Sequence, residues 1–419
     1  MRPYKLSEQA VQLEHDFAVY IRRQVQWGFK FDLPLAAQLY AQLSSRREEL
    51  SQDLQKLFPP IVLPPGDPKG LKTKSKTIVF NAGSRKHISD RFIAKGWQPE
   101  KLTNEGRPQI DESILKEIGT PEAIQLNEYL LVSKRISQLA EGKTAWIKLE
   151  RGGRMHGDVL TNACVTGRCS HRHPNMSAVP NLGSAYGQEC RSLFTATSDN
   201  WDLIGIDFSG LEMRVCAHYT SGFDSGALVK EVCEGDLHSA NAKALGVDRP
   251  TAKTWLYASL YGAGEARLGG IVGGTPADGR RTKRKFYARW PGISELNDRI
   301  KHTIKHRGYL TGLDGRILPI RGKEFAAINM LFQSGGSTLV KNFTVALSNR
   351  LVGDGYTYGI DWAAVNHVHD EIQIETKKSI SSAIAEIATS EIQKCGADFE
   401  FRCPLSGSVS IGRNWSETH

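Results

Sequence analysis

Three segments, taken in their order along the chain, constrain this sequence more than any other feature. Asp207 follows the apolar run 203–206, a helical segment over 249–264 repeats large polar side chains at every fourth position, and Asp370 ends a later β-like run. A carboxylate at a strand end, beside exposed backbone carbonyls, suits Mg²⁺, which takes few protein oxygens. Two such carboxylates facing a cationic helix are what condensation of a triphosphate needs. The spacing therefore predicts that two distant strand ends converge on one helix face.

The helical segment carries Arg249, Lys253, Tyr257 and Tyr261 at successive fourth positions, which share one face of a helix. Asp248 is typical of an N-cap, and the positive end of a helix attracts anions. The pattern therefore favours a phosphate site. A solvated amphipathic face would give the same stripe, and the residues alone leave both interpretations open.

Each carboxylate taken alone has a simple structural explanation. Asp207 could merely cap the helix expected after Ser209 and Gly210, and the tripeptide His369-Asp370-Glu371 could arise by chance. Asp207 and Asp370 are far apart in the sequence and yet both end β-like runs, so the pair is more informative than either residue. A site for two metal ions requires such convergence.

Charge and cysteine content narrow the class of protein without deciding it. The 54 Lys and Arg exceed the 45 Asp and Glu, and the net charge of +9 with a pI near 9.1 favours a polyanionic partner, although an incidental basic surface explains it equally well. The seven cysteines form no CxxC pair, which favours free thiols in a reducing compartment. No membrane span and no signal peptide are expected.

The pattern of apolar and polar residues along the chain predicts an α+β protein. Helical periodicity is expected in four stretches, namely residues 6–57, 84–142, 211–349 and 379–394. Within the first stretch two apolar stripes are predicted, one formed by Val11, Phe17, Ile21 and Val25 and the other by Leu35, Leu39, Leu43, Leu50 and Leu54. β-like runs are expected over 146–208 and, as strand–turn–strand, over 365–375. The connector 59–76 is proline-rich and then basic, and is expected to lack regular structure. Its lysines are Lys69, Lys72, Lys74 and Lys76. The order indicates one β-rich domain that is interrupted by a helical insertion and preceded by a helical arm.

The order and spacing of these segments resemble family A (Pol I-type) DNA polymerases. Arg249, Lys253, Tyr257, Tyr261 and Gly262 match the family pattern R-x-x-x-K-x-x-x-(Y/F)-x-x-x-Y-G in register. The resemblance is closest to the replicative polymerases of short-tailed phages of the T-seven type, and it runs nearly from end to end. It implies a right-hand fold with an antiparallel β palm and helical fingers and thumb. The implied divisions are the thumb and N-terminal helical region (1–145), the first part of the palm (146–215), the fingers (216–345) and the second part of the palm (346–419).

The resemblance also assigns the catalytic centre. Asp207 and Asp370 would hold two Mg²⁺ ions, with Mn²⁺ as a substitute, and the Phe208 carbonyl would be a backbone ligand. Glu371 would be an auxiliary catalytic carboxylate. Lys253 would be the proton donor to pyrophosphate.

By the same resemblance, several residues would contact the nucleotide. Arg249 and Lys253 would bind the triphosphate, and His238 would be a further phosphate contact. Tyr257 would pack beside the sugar, and Tyr261 would stack at the template side of the new base pair.

Other matching positions would govern specificity and DNA contact. Glu212, with Tyr257, would crowd the 2′ position of the sugar and so exclude ribonucleotides. Arg168 and Gln333 match residues that contact the minor groove, where acceptors lie in similar places for every base pair. His369 is placed with these DNA-contacting residues, although a packed or hydrogen-bonded strand residue is the preferred interpretation of its sequence alone.

The implied activity is template-directed addition of dNTPs to a primer 3′-OH by two metal ions, in the cytoplasm of a bacterial host. Primer–template DNA, dNTPs and other replication proteins are the expected partners. The exonuclease domain and the thioredoxin-binding insertion of the phage enzymes have no counterpart here, so 3′→5′ proofreading and thioredoxin binding are not expected. A single-subunit RNA polymerase-like enzyme and a non-catalytic DNA-binding derivative remain as alternatives. Glu212 argues against the first, and intact Asp207, Lys253 and Asp370 argue against the second.

Overall fold

The computed structural model describes residues 7–66, 68, 73–320 and 326–419. Contacts along the backbone divide the chain into two compact units. One unit comprises Met1–Phe31 together with Arg154–His419, and the other comprises Asp32–Gly153. The boundaries of thumb, palm and fingers stay a prediction.

Helices account for most of the regular structure. In chain order, the α-helices of the described residues are Glu8–Trp27 (α1), Leu33–Leu57 (α2), Arg85–Ala94 (α3), Glu112–Ile118 (α4), Pro121–Ile136 (α5), Trp146–Leu149 (α6), Gly187–Ser192 (α7), Leu211–Thr220 (α8), Ala227–Glu234 (α9), Leu237–Leu245 (α10), Arg249–Leu260 (α11), Glu265–Ile271 (α12), Pro276–Arg289 (α13), Pro291–Arg307 (α14), Ala327–Gly353 (α15) and Ser381–Lys394 (α16). None of them is both long and apolar enough to cross a bilayer.

The strands are shorter, and the ladders between the described strands are antiparallel. They are Phe29–Phe31 (β1), Ile61–Leu63 (β2), Lys76–Ile78 (β3), Arg154–Met155 (β4), Asp158–Leu160 (β5), Ser170–Arg172 (β6), Phe194–Thr195 (β7), Trp201–Phe208 (β8), Tyr309–Thr311 (β9), Ile317–Pro319 (β10), Trp362–Val368 (β11), Glu371–Lys377 (β12) and Gly407–Gly412 (β13). Together with the helices they confirm the α+β class.

A four-stranded sheet in the order β11-β12-β8-β13 positions the two carboxylates. The apolar run of β8 is buried between β12 and β13, with Leu203, Ile204 and Ile206 fully enclosed. The strand–turn–strand predicted around Asp370 is confirmed as β11 and β12. In the register of this sheet Asp207 lies opposite Glu371, so the end of β8 adjoins the turn that carries Asp370.

The first predicted helix is interrupted at Gly28. Gly28 has φ of +73° and no room for a Cβ, which would lie 2.7 Å from the His156 ring. The chain therefore leaves α1 and enters β1, which pairs with β4 and β7. The predicted α1 stripe is right for Phe17 and Ile21, which are buried, and wrong for Val11, which is 37% exposed.

The unit of residues 32–153 has its own core, which includes Leu54, Phe58, Phe92 and Leu126. The leucine stripe predicted on α2 is confirmed except for Leu35, which is exposed. Helix was predicted over 84–142, and α3, α4 and α5 confirm it within that range. The prediction is wrong for 95–111, which is irregular in a stretch punctuated by Gly and Pro.

The connector 59–76 contains more structure than the sequence predicted. Ile61 pairs with Ile78 and Leu63 with Lys76, so β2 and β3 form an antiparallel ladder. The prediction of no regular structure is therefore wrong at both ends of the connector. Lys69 and Lys72 lie outside the described residues.

Candidate active site

A cavity of about 410 Å³ opens at the end of β8. The residues that line it come from β8, α8, β11 and the turn that follows it, α11, α15 and the loop before β6. Eight residues of the predicted site are among them: Arg168, Asp207, Phe208, Glu212, Tyr257, Tyr261, His369 and Asp370. The structure thus brings together positions that are up to two hundred residues apart in the chain.

Asp207 and Asp370 meet because the sheet register places their strand ends side by side. The Phe208 N–H donates to the Asp370 carbonyl at 3.3 Å. Burial and, to a smaller extent, the neighbouring charge of Asp370 raise the pKa of Asp207 to about 6, although His419 and Arg191 oppose the shift. Burial also raises the pKa of Asp370. The protein alone does not compensate these two negative charges.

This donor set fits a hard divalent cation. Two under-compensated carboxylates and the nearby Phe208 carbonyl offer oxygen ligands, which Mg²⁺ prefers. Within the described parts of the chain no group of three or more His, Cys, Asp or Glu side chains is arranged to hold a metal. A magnesium site of this type does not need such a group, because Mg²⁺ keeps several waters and takes oxygens from substrate phosphates.

Glu371 lies opposite Asp207 in the sheet but is not part of the cavity lining, and its carboxylate is already engaged. Its carboxylate accepts hydrogen bonds from Arg191 at 3.3 Å, from Gln373 at 2.9 Å and from the indole N–H of Trp415, and it is 2.9 Å from His419 Nδ1. Burial raises the pKa of Glu371, but the bond from His419 and the charge of Arg191 outweigh it and lower the pKa overall. Any auxiliary role of Glu371 would require it to leave these donors, and that role stays a prediction.

Glu212 joins two sides of the cavity. One carboxylate oxygen accepts from Arg168 Nη2 at 2.8 Å, and the other accepts from the Tyr261 hydroxyl at 2.6 Å. Burial raises the pKa of Tyr261, and its bond to Glu212 adds to the shift. Glu212 thus occupies the wall between the loop of Arg168 and the end of α11, beside Tyr257.

The loop that carries Arg168 is held by residues to which the sequence had assigned no role. Ser337 Oγ donates to the Gly167 carbonyl at 2.9 Å, and Lys341 Nζ donates to the Thr161 carbonyl at 2.8 Å. Gly167 has φ of +77°, and a Cβ there would lie 2.0 Å from the guanidinium of Arg316.

The two cations that support this loop share one carboxylate. Glu14 accepts from Lys341 at 2.7 and 2.8 Å and from Arg316 at 2.8 Å, and Arg316 also binds Asp314 at 2.6 Å. The side chain of Lys341 is only 1% exposed. A lone lysine within the apolar run of α15 was the one signal in the sequence for this cluster.

The remaining predicted residues lie outside the cavity lining. On α11, Arg249 binds Asp236 through two contacts of 2.9 and 3.3 Å, and Lys253 is exposed. The His238 ring lies 6.3 Å from the Tyr257 ring, centroid to centroid. Gln333 is half-buried on α15, one turn before Ser337. The stripe on α11 thus leads away from the cavity, with Tyr257 and Tyr261 at its inner end.

Two buried histidines, His171 on β6 and His367 in the cavity lining, are expected to make the stability of the protein depend on pH. None of the four ring nitrogens of His171 and His367 has a hydrogen-bond partner in the part of the chain that is described. Burial lowers the pKa of His171 to about 4, helped by the charge of His369, and lowers that of His367 to about 3, helped by His171. The unfolded chain therefore binds more protons than the folded chain below about pH 6.5.

We expect this imbalance to destabilise the protein as the pH falls from about 6.5 towards 4. The loss should be about 2 kcal/mol for each histidine at pH 5, and urea unfolding at pH 7 and pH 5 measures it. The double variant His171→Gln, His367→Gln should lose less stability between these pH values than the wild type. The exposed control His306→Gln should behave as the wild type, and equal losses in all three proteins would contradict the assignment.

Comparison with known proteins identifies the family. Residues 69–417 match the profile of DNA polymerase family A. The chain is 33% identical to the DNA-directed DNA polymerases of Enterobacteria phage T3 and Escherichia phage T7, in each case over 99% of this chain and 70% of the relative. It is 25% identical to DNA polymerase I of Pseudomonas aeruginosa over 81% of this chain and 39% of that protein.

The fold comparison agrees with the sequence comparison. The POL domain of Pol1 from M. smegmatis, solved in complex with DNA primer-template and dNTP, superimposes with a TM-score of 0.81 at 19% identity, covering 97% of this chain and 70% of that chain. The predicted right-hand polymerase fold is thereby confirmed. Both the sequence match and the shared fold extend over most of the chain, and the chain therefore belongs to DNA polymerase family A.

Proposed function

We propose that the cavity at the end of β8 is the site where this DNA polymerase adds deoxynucleotides to a primer 3′-OH under the direction of a template. The convergence of Asp207 and Asp370 in one cavity carries the proposal. In it, Asp207, Asp370 and the Phe208 carbonyl hold two Mg²⁺ ions, for which Mn²⁺ can substitute. When bound, these ions would lower the pKa of the primer 3′-hydroxyl and neutralise the charge of the leaving pyrophosphate.

The chain's own residues then position the substrates. Arg249 and Lys253 bind the triphosphate with help from His238, and Arg249 exchanges Asp236 for phosphate when it does so. Lys253, which is exposed in the structure, gives a proton to the pyrophosphate. Tyr257 packs beside the sugar.

Residues on the other sides of the cavity contact the DNA in this proposal. Tyr261 stacks at the template side of the new pair. Arg168 and Gln333 contact the minor groove of the primer–template, with His369 near the primer end. Their positions on the rim and on α15 support these roles.

Primer extension by the purified protein tests the function. We expect Mg²⁺-dependent extension with dNTPs, much weaker extension with NTPs, and an intact primer when nucleotides are omitted. Extension with NTPs as efficient as with dNTPs would favour the RNA polymerase-like alternative. No extension with either would favour a non-catalytic DNA-binding derivative, and shortening of the primer would contradict the proposal that proofreading is absent.

Replacing Glu212 with alanine should relax the choice of sugar. In this proposal the carboxylate and Tyr257 crowd the 2′ position of the sugar, so removal of the carboxylate should raise the ratio of NTP to dNTP incorporation by roughly tenfold to a hundredfold. Single-nucleotide kcat/KM values for a matched NTP and dNTP measure this ratio. Glu295→Ala, which removes an exposed carboxylate of α14, is the control. An unchanged ratio in Glu212→Ala would show that the carboxylate does not exclude the hydroxyl.

We also propose that the enzyme adds few nucleotides each time it binds a primer–template, and that thioredoxin does not increase this number. The phage relatives align over 496 positions, more than the 419 residues of this chain, so they contain internal segments that have no counterpart here. The described ends of the connector form only the small β2–β3 ladder. Product length per binding event, measured with trap DNA, should be the same with and without reduced thioredoxin. A many-fold increase would contradict this proposal.

The cellular location of the enzyme is part of the same proposal. The two relatives at 33% identity are phage enzymes, which supports the cytoplasm of a bacterial host and a role beside other replication proteins.

A further inference from the structure

Two cysteine sulfurs lie side by side in a region that the proposed reaction does not use. Cys233 is on α9, and Cys403 precedes β13. Their Sγ atoms are 3.7 Å apart, although the residues are 170 positions apart in the chain. Cys233 is exposed and Cys403 is 1% exposed. Neither residue lines the candidate active-site cavity.

A second cavity leads to this pair. It has a volume of about 490 Å³, and its lining includes Cys233, Lys230, Glu234, Arg402 and Pro404. The opening is large enough for a small molecule to reach Cys233. Two of the three charged residues in the lining are cationic, which favours an anionic reagent.

The surroundings distinguish the two sulfurs. Arg214 Nη1 lies 3.4 Å from Cys233 Sγ, so a guanidinium adjoins the exposed sulfur. Cys403 is enclosed, and burial raises its pKa to about 12, with the neighbouring Cys233 adding to the shift. Cys233 is therefore the sulfur that an incoming reagent meets first.

From this geometry we propose that Cys233 and Cys403 form a reversible disulfide with each other when the protein meets a low-molecular-weight disulfide, and that Cys233 is the entry thiol. The sulfurs must approach from 3.7 Å to about 2.0 Å. Rotation of the exposed Cys233 side chain on α9 supplies that movement.

The exchange balances without a further reagent. The thiolate of Cys233 attacks one sulfur of the small disulfide, the S–S bond of the reagent breaks, and one small thiolate leaves. The sulfur of Cys403 then loses its proton to solvent and attacks Cys233 Sγ, which expels the second small thiol. The two protein thiols are oxidised by two electrons, and the reagent is reduced to two thiols.

The new bond would join two segments that both already contact the side chain of Arg214. That side chain donates to the Ser209 carbonyl at 2.8 Å, to Ser406 Oγ at 2.6 Å and to the Pro404 carbonyl. Ser209 N also donates to the Ser406 carbonyl at 2.9 Å. The bridge would thus tie α9 to the segment that pairs with the turn after Asp207. Because the bridge closes a long loop, it should raise Tm by several degrees in a thiol-reversible way.

Oxidised glutathione is the probe that tests the proposal. The full-length protein is incubated with it near pH 8, free thiols are then alkylated, and the protein is analysed by intact mass and by peptide mapping. We expect a cross-linked peptide pair that contains Cys233 and Cys403, loss of two hydrogen masses, and reversal of both changes and of the Tm rise by dithiothreitol.

Three variants make the outcome decisive. Cys403→Ser should stop at a stable glutathione adduct on Cys233. Cys233→Ser should form neither an adduct nor a bridge at this pair. Cys164→Ser removes an exposed cysteine elsewhere and should behave as the wild type. Three results with the wild-type protein would overturn the proposal. They are a reaction that stops at the glutathione adduct, a bridge between other cysteines, and alkylation of both thiols after the incubation.

Discussion

Replacing Asp207 with alanine is expected to lower nucleotide incorporation by at least about a thousandfold while leaving primer–template binding nearly unchanged. Loss of one of two metal-binding carboxylates removes several kcal/mol of charge stabilisation in the transition state. Affinity for the duplex comes instead from dispersed cationic contacts to phosphates. Single-turnover incorporation and equilibrium binding to a labelled primer–template measure the two quantities separately.

A matched control is available on α14. Asp298→Ala removes a carboxylate that is exposed and paired only with Lys301, so both quantities should stay at the wild-type level. Incorporation by Asp207→Ala within tenfold of the wild type would contradict the site assignment. Loss of binding by the same variant would show that the aspartate supports the duplex and not the chemistry.

Replacing Lys341 with alanine should destabilise the fold by about 3–5 kcal/mol, the cost of breaking a buried ion pair. Lys341 and Arg316 offset Glu14 and Asp314, so loss of the lysine leaves a net negative charge among side chains that are at most 16% exposed. Burial lowers the pKa of Lys341, and the charge of Glu14 opposes that shift. Urea unfolding at neutral pH measures the effect.

Two further proteins separate charge from packing. Lys301→Ala breaks an exposed pair and should change stability by no more than about 0.5 kcal/mol. The double variant Glu14→Gln, Lys341→Met removes both charges and should recover part of the loss. A loss below about 1 kcal/mol in Lys341→Ala would show that the cluster does not hold the loop of Arg168.

Sequence reasoning succeeded where the periodicity of one element decides the structure. The unbroken apolar run before Asp207 predicted a strand buried on both faces, and β8 is the third strand of a four-stranded sheet. The turn at Asp370 followed from two β-like runs around polar residues. The convergence of Asp207 and Asp370 was then expected, because a carboxylate pair needs both strand ends in one place.

Glu371 illustrates how a partner set can be missed. In the sheet register it lies opposite Asp207, and residues directly opposite each other in an antiparallel pair carry their side chains on the same face. Its charge therefore contributes to the raised pKa of Asp207. Arg191 and Trp415, which donate to its carboxylate, are 180 and 44 positions away in the chain, so no local pattern indicated them.

Other features depend on contacts that no local pattern encodes. Lys341 and Glu14 are 327 positions apart, and nothing in either segment indicates that they meet. β1 is only three residues long, too short for an alternation to be recognised. The irregular stretch 95–111 was predicted as helix because its glycines and prolines were given too little weight.

Single-turnover incorporation of each of the four dNTPs opposite each template base, with wild type and Asp370→Ala side by side, shows whether the cavity at the end of β8 carries out templated synthesis. We expect the wild-type protein to add only the complementary nucleotide in the presence of Mg²⁺, and Asp370→Ala, still bound to the primer–template, to add almost none. Incorporation that ignores the template base, or an Asp370→Ala protein that extends at the wild-type rate, would contradict the proposed function.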